Sequence, residues 1–205
     1  EQKLLQAKLH ESRISVMISQ IQPHFLYNSL GVIQELCYGE PEKAEKAIGN
    51  LAEFLKGNMS VLMSDKLVFF EDELKHTKKY LEIEYLRFED QLKVEYEICV
   101  DTKSFSLPAL TLQPIVENAI RYGVRKREDG GIVKISAYEK EEYYEVIVED
   151  NGPGFDVDNV GMDEGMHIGI KNVRERLMRM CDGVLLIETE MGKGTRVSIQ
   201  VKKER

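Results

Sequence analysis

The sequence has few cysteines, a deficit of positive charge and no long apolar run. Its 3 cysteines, Cys37, Cys99 and Cys181, are widely spaced, which fits no metal-ligand pattern and indicates a reducing compartment. With 28 basic and 36 acidic residues the net charge is −8. This balance argues against direct binding of nucleic acid, because phosphate contacts need lysine and arginine. No apolar stretch approaches the roughly 18 residues that a membrane span needs, and no signal peptide is visible.

The chain length allows one large domain or two small ones. A chain of 205 residues buries roughly 70% of its unfolded surface, so its core needs no disulfide or structural metal. The sequence begins at Glu1 within a helical pattern, and we therefore expect a fragment of a longer protein. It contains no internal repeat and no low-complexity linker, so its parts are expected to be closely joined.

Helix formers dominate the first part of the chain. A first helix is predicted over residues 1–38, a second from Glu42 to about Asn58, and a third from about Glu71 to Phe88. Two apolar stripes on the first helix indicate burial on more than one side, as in a bundle. The apolar positions are Ile14, Ile18, Ile21 and Phe25; Leu26, Leu30, Ile33 and Cys37; Ala44, Ala47, Ile48, Leu51 and Leu55; and Leu74, Tyr80, Leu81, Tyr85 and Phe88.

The pattern changes near residue 90. Apolar and polar residues alternate from Leu92 to Val100, which predicts a strand with one buried face. Because strands and helices mix after a purely helical start, we predict an α+β chain of two domains, residues 1–90 and 91–205. Further strands are expected at about 131–139, 143–150, 183–189 and 195–201, with helices near 110–122 and 169–181.

Asp150 ends a predicted strand and precedes the glycine-rich turn Asn151-Gly152-Pro153-Gly154-Phe155. It shares a strand face with Val146 and Val148, so its carboxylate is expected to point toward the core, where it needs a donor. One interpretation is β-turn chemistry alone. The other is an adenine pocket, in which Asp150 accepts from the exocyclic amine while Gly152 and Gly154 let the backbone approach the base.

Glu117 and Asn118 lie at the border between the apolar face of their helix and solvent. A solvated helix face is one interpretation. The other is magnesium chemistry, because Mg²⁺ prefers oxygen ligands and shares most of its shell with phosphates and water. The side-chain oxygen of Asn118 suits that ion. Arg121, one turn further on, would reach phosphates, and Tyr122 could pack beside the nucleotide.

Residues 155–168 are predicted to form a mobile lid, because they hold Gly161 and Gly165 with little periodicity. We expect Gly169 to begin a helix whose free N–H groups could bind phosphates, and a loop before a core helix is the alternative. Gly192-Lys193-Gly194-Thr195 is typical of a hairpin turn. Because this turn follows the other candidate segments of a nucleotide site along the chain, Thr195 is a further candidate residue.

His24 lies in a helical stretch with Pro23, which costs about 3 kcal/mol in a helix interior and suggests a local requirement. Gln20, His24 and Asn28 recur at four-residue steps and form a polar stripe. A lone histidine in a helix more often has a structural role than a functional one. Pro23 and the polar stripe favour a functional role for His24, but by themselves they leave the structural role as the better interpretation.

Two parts of the sequence resemble known families. The Glu117–Asn118 helix followed by the Asp150 turn resembles the Bergerat (GHKL) nucleotide fold of histidine kinases, type II topoisomerases, mismatch-repair ATPases and some chaperones. The His24 segment resembles the phosphoacceptor motif of sensor histidine kinases in the LytS/YehU/YesM-like family, and this resemblance extends over nearly the whole chain. The matching motifs are QIQPHFLYNSL from Gln20, YLEIE with Arg87-Phe88, LQPIVENA from Leu112, DNGPGF from Asp150 and IGIKNVRERL from Ile168.

The resemblance implies a helical dimerisation and phosphoacceptor domain followed by a two-layer α/β sandwich that binds ATP with Mg²⁺. His24 would attack the γ-phosphoryl group, Glu117 would orient or accept a proton, and the phosphoryl group would pass to an aspartate of a response regulator receiver domain. Asn28 could position a water for dephosphorylating that partner. The resemblance also implies a homodimer through the N-terminal helices, and a cytoplasmic fragment of a parent protein anchored in the membrane.

The chain departs from related kinases at two positions. Many histidine kinases carry an acid directly after the phosphoacceptor, whereas this chain has Phe25, which leaves the base that assists His24 unassigned. His167 stands where related lids often have glycine. Two other functions fit parts of the sequence, a non-catalytic dimeric signalling scaffold and another Bergerat ATPase. The acidic charge disfavours the second, and the first is disfavoured by the complete set His24, Glu117, Asn118 and Asp150.

Overall fold

The computed structural model describes residues 23–62, 66–155 and 164–203. They form two compact units. Residues 23–62 and Lys79–Arg87 belong to the first unit, and residues 66–78, 88–155 and 164–203 belong to the second. Ile14, Ile18, Gln20, Ile21 and Gly161 lie outside the described residues. No helix within the described ranges is long and apolar enough to cross a membrane.

The first unit is helical. It contains α1 (Pro23–Gly39), α2 (Pro41–Leu62) and the second half of α3 (Phe70–Phe88). The second and third predicted helices are confirmed, and the first is confirmed from Pro23 onward, since residues 1–22 lie outside the described ranges. Buried positions on α2 alternate at three- and four-residue steps, the spacing of one helix face. These positions are Ala44, Ala47, Leu51, Phe54 and Asn58. Ile48, which was expected on this face, is instead 53% exposed.

An aromatic cluster forms the centre of the first unit. The ring of Phe25 lies 5.2 Å from that of Phe54 and 5.1 Å from that of Tyr80, centroid to centroid, and all three rings are buried. Tilted pairs at such distances stabilise by about 0.5–1.5 kcal/mol beyond their burial. The residue after His24 is therefore a core side chain, and this explains why no acid stands there.

The second unit contains a five-stranded mixed sheet. Its strands run in the order β2 (Leu92–Cys99), β4 (Gly131–Glu139), β5 (Tyr143–Asp150), β7 (Gly194–Lys202) and β6 (Val184–Glu190). β2 pairs parallel with β4, and all other pairs are antiparallel. The predicted strands are confirmed, but β2 is an edge strand on which Leu92 is buried and Tyr96 is 41% exposed.

Two helices cover the sheet and complete a two-layer sandwich. α4 (Leu112–Asn118) packs on α5 (Glu164–Cys181), which also contacts β6. Apolar side chains of both layers are buried between them. They include Leu112, Ile115, Val116, Val173 and Leu177 of the helices and Val133, Ile135, Ala137, Val146, Val148, Val197 and Ile199 of the sheet.

Three features of the second unit differ from the sequence prediction. A small antiparallel pair, β1 (Leu67–Phe69) with β3 (Ser106–Pro108), was not predicted. α4 continues into a π-helical turn, Ala119–Gly123, rather than ending as a regular helix. α5 begins at Glu164 instead of Gly169, because the apolar positions Met166, Ile170, Val173 and Leu177 keep helical spacing across both glycines.

Candidate functional site

Asp150 lies at the end of β5, on the sheet face that also carries the buried side chains of Val146 and Val148, as predicted. Its strand partner on β7 is Thr195. The Asp150 Oδ1 atom accepts the N–H of Gly152 at 2.8 Å, and the backbone N–H of Thr195 also donates to the carboxylate. Burial raises the pKa of Asp150 above its usual value, and these two donors offset part of that rise.

Three glycines surround Asp150 so closely that no side chain fits at their positions. A Cβ on Gly123 would lie 2.5 Å from Asp150 Oδ1, and a Cβ on Gly152 would lie 2.3 Å from Gly123 Cα. A Cβ on Gly194, whose φ is +106°, would lie 1.9 Å from the Asp150 backbone oxygen. Main chain therefore packs directly against the carboxylate. The sequence indicates the close approach of Gly152 but not those of Gly123 and Gly194.

The turn after Asp150 is fixed to the β6–β7 hairpin. Gly154 has a φ of +63°, and a Cβ there would lie 2.2 Å from the Glu190 backbone oxygen. The Pro153 backbone oxygen accepts the N–H of Gly192 at 2.7 Å, and the N–H of Phe155 donates to Thr189 Oγ1 at 3.1 Å. The glycine-rich turn thus has a defined position relative to Asp150.

The end of α4 lies beside Asp150, because Gly123 closes the π turn that follows Asn118. Asn118 is half-buried and makes no side-chain capping bond to that turn. Arg121 is exposed, and its guanidinium carbon lies 5.1 Å from the ring centroid of Tyr122, which is half-buried. The structure therefore brings the α4 candidates to the same end of the sandwich as the Asp150 turn. π turns are frequent at functional sites.

Glu117 is held by a neighbour on its own helix. Its Oε1 atom accepts the Nε2–H of Gln113 at 2.7 Å. The Oε1 atom of Gln113 lies 2.8 Å from Nε2 of His76 on α3. The sequence alone indicates no role for Gln113 or His76, because their proximity requires α3 and α4 to meet.

A second missed feature fixes the start of α4. The buried carboxylate of Glu73 accepts the backbone N–H groups of Leu110, Thr111 and Leu112 at 2.6, 2.8 and 2.9 Å. Arg176 of α5 donates to the backbone oxygens of Ala109 and Leu110 at 2.7 and 2.6 Å. Burial raises the pKa of Glu73, while the three N–H donors and Arg176 lower it. Glu73 thus caps a helix to which it does not belong.

Magnesium fits the residues present at the end of α4. A carbonyl oxygen on Asn118, at a half-buried position without a capping role, is the kind of ligand that Mg²⁺ accepts from protein. Among the residues that the structure describes, no cluster of three or more His, Cys, Asp or Glu side chains could hold a metal ion. An ion held by one protein oxygen would take its remaining ligands from phosphates and water.

His24 lies on α1 and is exposed. The side-chain nitrogen of Asn28 lies 3.0 Å from His24 Nδ1 and 3.3 Å from Nε2. The predicted polar stripe thus contains a direct contact between these two residues. The third member of the stripe, Gln20, falls outside the described ranges.

The predicted phosphate site at Gly169 is not placed as expected. Gly169 lies inside α5 rather than at its first turn, so its N–H is not at a free helix terminus. The space around its Cα is open, with no described atom within 4 Å of a Cβ added there. Of the predicted lid, residues 156–163 are outside the described ranges, and His167 belongs to the α5 backbone.

Comparison with known proteins identifies both halves of the chain. Residues 12–92 match the family described as "Histidine kinase", and residues 107–205 match the family described as "Histidine kinase-, DNA gyrase B-, and HSP90-like ATPase". Among solved structures, the chain is similar to the Acinetobacter baumannii histidine kinase AdeS (17% identity, TM-score 0.52, 88% of this chain and 96% of that chain). It is also similar to the histidine kinase domain of Erythrobacter litoralis EL346 (12% identity, TM-score 0.53, 88% and 96%). At these identities the likeness shows the fold.

Curated relatives are closer in sequence. The chain is 37% identical to the uncharacterized protein YwpD of Bacillus subtilis (strain 168), over 89% of this chain and 67% of the relative. It is 30% identical to sensor protein LytS of Bacillus cereus (98% and 36%) and 35% identical to sensor histidine kinase BtsS of Escherichia coli (strain K12) (83% and 30%). The chain thus spans about a third of the LytS and BtsS relatives. With a helical unit that carries His24 and a GHKL sandwich that carries Asp150, the chain belongs to the histidine kinase family.

Proposed function

We propose that this chain is the kinase core of a two-component sensor, which uses ATP to phosphorylate its own His24 and passes the phosphoryl group to an aspartate of a response regulator receiver domain. The observation that carries the proposal is the setting of Asp150. Burial raises the pKa of its carboxylate, the main chain of Gly123 and Gly152 packs against that carboxylate, and Gly194 packs against the Asp150 backbone. Carboxyl groups whose pKa is raised by burial are concentrated at functional sites, and this supports a ligand-binding role for Asp150.

The residues of the second unit divide the binding of ATP between them. Asp150 accepts a hydrogen bond from the exocyclic amine of adenine, and Thr195, Gly152 and Gly154 shape the backbone around the base. Arg121 reaches the phosphates, while Tyr122 packs beside the nucleotide. Asn118 supplies a ligand oxygen to Mg²⁺, which neutralises phosphate charge when it is bound. Gly169 lies inside α5 and therefore offers no helix-terminal phosphate site.

His24 supplies the nucleophile. A lone pair on its imidazole ring attacks the γ-phosphorus of ATP, a P–N bond forms, and the bond from that phosphorus to the bridging oxygen of ADP breaks. Glu117 accepts the proton that the ring releases. The Asn28 contact orients the ring of His24, and Asn28 also positions a water for dephosphorylating the response regulator.

One experiment tests the reaction. The chain is incubated with Mg²⁺ and ATP labelled in the γ-phosphate, and the label is tested for lability in acid and stability in alkali, the signature of phosphohistidine. We expect label on the wild type and on His10→Gln, and none on His24→Gln. Labelled chain mixed with receiver domains from the same genome should then transfer label to an aspartate.

The alternative, a non-catalytic dimeric scaffold, predicts a different outcome of the same experiment. Such a scaffold would bind nucleotide or nothing, and neither the wild type nor any variant would carry label. Unchanged label in His24→Gln would also contradict the proposal, because phosphorylation would then occur elsewhere.

We also propose a homodimer through the helices of the first unit. Exposed apolar patches mark interaction surfaces, and α1 and α2 carry large apolar side chains that are exposed in the single chain. They are Tyr27 (75% exposed), Leu30 (50%), Tyr38 (89%) and Ile48 (53%). As in the LytS/YehU/YesM-like family, the parent protein is proposed to be anchored in the membrane, with this part in the cytoplasm.

A further inference from the structure

A chain of hydrogen bonds joins α3 to Glu117 within the second unit. His76 Nε2 lies 2.8 Å from Gln113 Oε1, and Gln113 Nε2 donates to Glu117 Oε1 at 2.7 Å. Gln113 is 7% exposed, and His76 is half-buried. An amide enclosed to this degree has few alternative partners, so its orientation depends on the groups it contacts.

The hydrogen bonds between His76, Gln113 and Glu117 all run in one direction, from donor to acceptor. An ionised Glu117 carboxylate only accepts hydrogen bonds, so the Gln113 amide must turn its Nε2–H toward it. The Gln113 oxygen then faces His76, whose Nε2 must carry a proton to donate. If His76 carried its proton on Nδ1 alone, Nε2 would be an acceptor opposite an acceptor. Gln113 would then flip and present its oxygen to the carboxylate, which would repel it.

The setting of His76 favours a neutral ring. Burial lowers the pKa of His76, and the hydrogen bond with Gln113 offsets part of that effect. At pH 7 and above, one ring nitrogen therefore carries the single proton, and the choice of nitrogen is fixed by the neighbours.

We propose that Gln113 and His76 are positioning residues for Glu117, with the Nε2–H of His76 setting the Gln113 amide and the amide in turn holding the carboxylate in its reacting orientation. The inference rests on the proposed function, in which Glu117 accepts the proton released by His24. It adds that α3, through His76, determines whether Glu117 is placed to do so.

The first test is spectroscopic and does not depend on turnover. Nitrogen chemical shifts of ¹⁵N-histidine distinguish the two neutral tautomers, and the chain has only 4 histidines, which His76→Gln assigns. We expect His76 in the Nε2–H form at neutral pH. In Gln113→Met, which removes both polar atoms at similar length, we expect that preference to be lost. An Nδ1–H form in the wild type would overturn the inference.

The second test compares two substitutions of His76, one that removes the hydrogen-bond donor and one that keeps a donor. His76→Leu removes the donor, and His76→Gln keeps an N–H of similar reach. With ATP saturating, we expect the rate constant of His24 phosphorylation to fall about 10- to 100-fold in His76→Leu, while the nucleotide dissociation constant changes by less than about twofold. His76→Gln should recover most of the loss. Lys75→Gln, at an exposed neighbouring position, is the control.

The results separate this inference from the proposed function. Wild-type chain without label, but with His76 in the Nε2–H form, would reject the proposed function and leave the hydrogen-bond chain in place. Label formed at wild-type rate by both His76→Leu and Gln113→Met would reject the positioning role alone. If His76→Leu also loses nucleotide binding, Gln113→Met decides, and equal losses of binding in both variants would show a merely structural role. In a Glu117→Gln background, His76→Leu should cause no further decrease.

Discussion

At the scale of single residues, the proposed role of Asp150 in nucleotide binding is opposed to its effect on stability. Its raised pKa means that the folded chain holds the proton more tightly than the unfolded chain. The stabilisation linked to that proton is complete below the ordinary pKa of 3.8 and is lost as the pH rises through the folded-state value. At neutral pH the ionised carboxylate therefore lowers stability.

Asp150→Asn should consequently separate the two properties. We expect nucleotide binding to weaken by about 1.5–3 kcal/mol, the usual contribution of a hydrogen bond to a charged group. The variant should gain stability relative to wild type as the pH rises from 3.5 to 7, because it has no carboxyl to ionise. Nucleotide titration and thermal unfolding at several pH values measure both effects. Asp90→Asn, at an exposed position, should change neither.

Gly123 offers a second residue-scale prediction. In Gly123→Ala the added Cβ would lie 2.5 Å from Asp150 Oδ1, so the carboxylate must move. We expect a stability loss of about 1–3 kcal/mol from overpacking, together with weakened nucleotide binding. Gly49→Ala is the matched control, since no atom lies within 4 Å of its Cβ position. This helical substitution should stabilise by about 0.5–1 kcal/mol. Equal effects of the two variants would contradict the role of Gly123.

The sequence predicted the direction of the Asp150 side chain but not the groups that surround it. The alternation of Val146, Val148 and Asp150 fixes the face of the strand, because side-chain direction has a period of two. No pattern in the local sequence indicates the contact between Gly123 and Asp150. It depends on where α4 ends relative to β5, which only the folded chain determines.

At the scale of elements, residues of two other helices, α3 and α5, fix the start of α4. Thr111 makes no side-chain capping bond, and Glu73 of α3 accepts the N–H groups instead. Leu110 has a φ of +56°, a conformation that costs a non-glycine residue roughly 1–2 kcal/mol. Its N–H is held by Glu73 and its oxygen by Arg176.

Glu73→Gln should therefore destabilise the sandwich. The amide presents N–H groups to backbone N–H donors, which leaves at least one donor buried without an acceptor and costs about 1–3 kcal/mol. Urea unfolding monitored on the sheet measures the loss. Glu71→Gln changes an exposed carboxylate on the same turn and should lie within about 0.5 kcal/mol of wild type. A wild-type midpoint for Glu73→Gln would contradict the capping role.

Long periodic elements were predictable, and short or irregular ones were not. The strands of the sheet and helices α1 to α3 carry apolar periods over many residues. β1 and β3 have three residues each, too few to show a period. The π turn at 119–123 contacts β5, and the sequence has no pattern that indicates it. Glycines at 165 and 169 masked the true start of α5.

At the scale of the whole molecule, the exposed apolar side chains of α1 predict self-association. Leu30→Glu should shift the chain from dimer toward monomer, because a carboxylate inside an apolar interface is left unpaired. Sedimentation velocity at several concentrations measures the mass. Met178→Glu, at a 66% exposed apolar position in the second unit, serves as control and should remain dimeric. A monomeric wild type would contradict the proposed dimer.

The order of strands in the sheet also has a consequence for synthesis on the ribosome. β5 sits in the interior of the sheet, yet its neighbour β7 follows it by more than forty residues. A nascent chain that has emerged only as far as α5 exposes one edge of β5, and such an edge can pair with strands of other chains. Asp150 at that stage also lacks the N–H of Thr195. Translation speed across residues 151–193, rather than the stability of the finished fold, is then expected to govern how much of the chain aggregates before it folds.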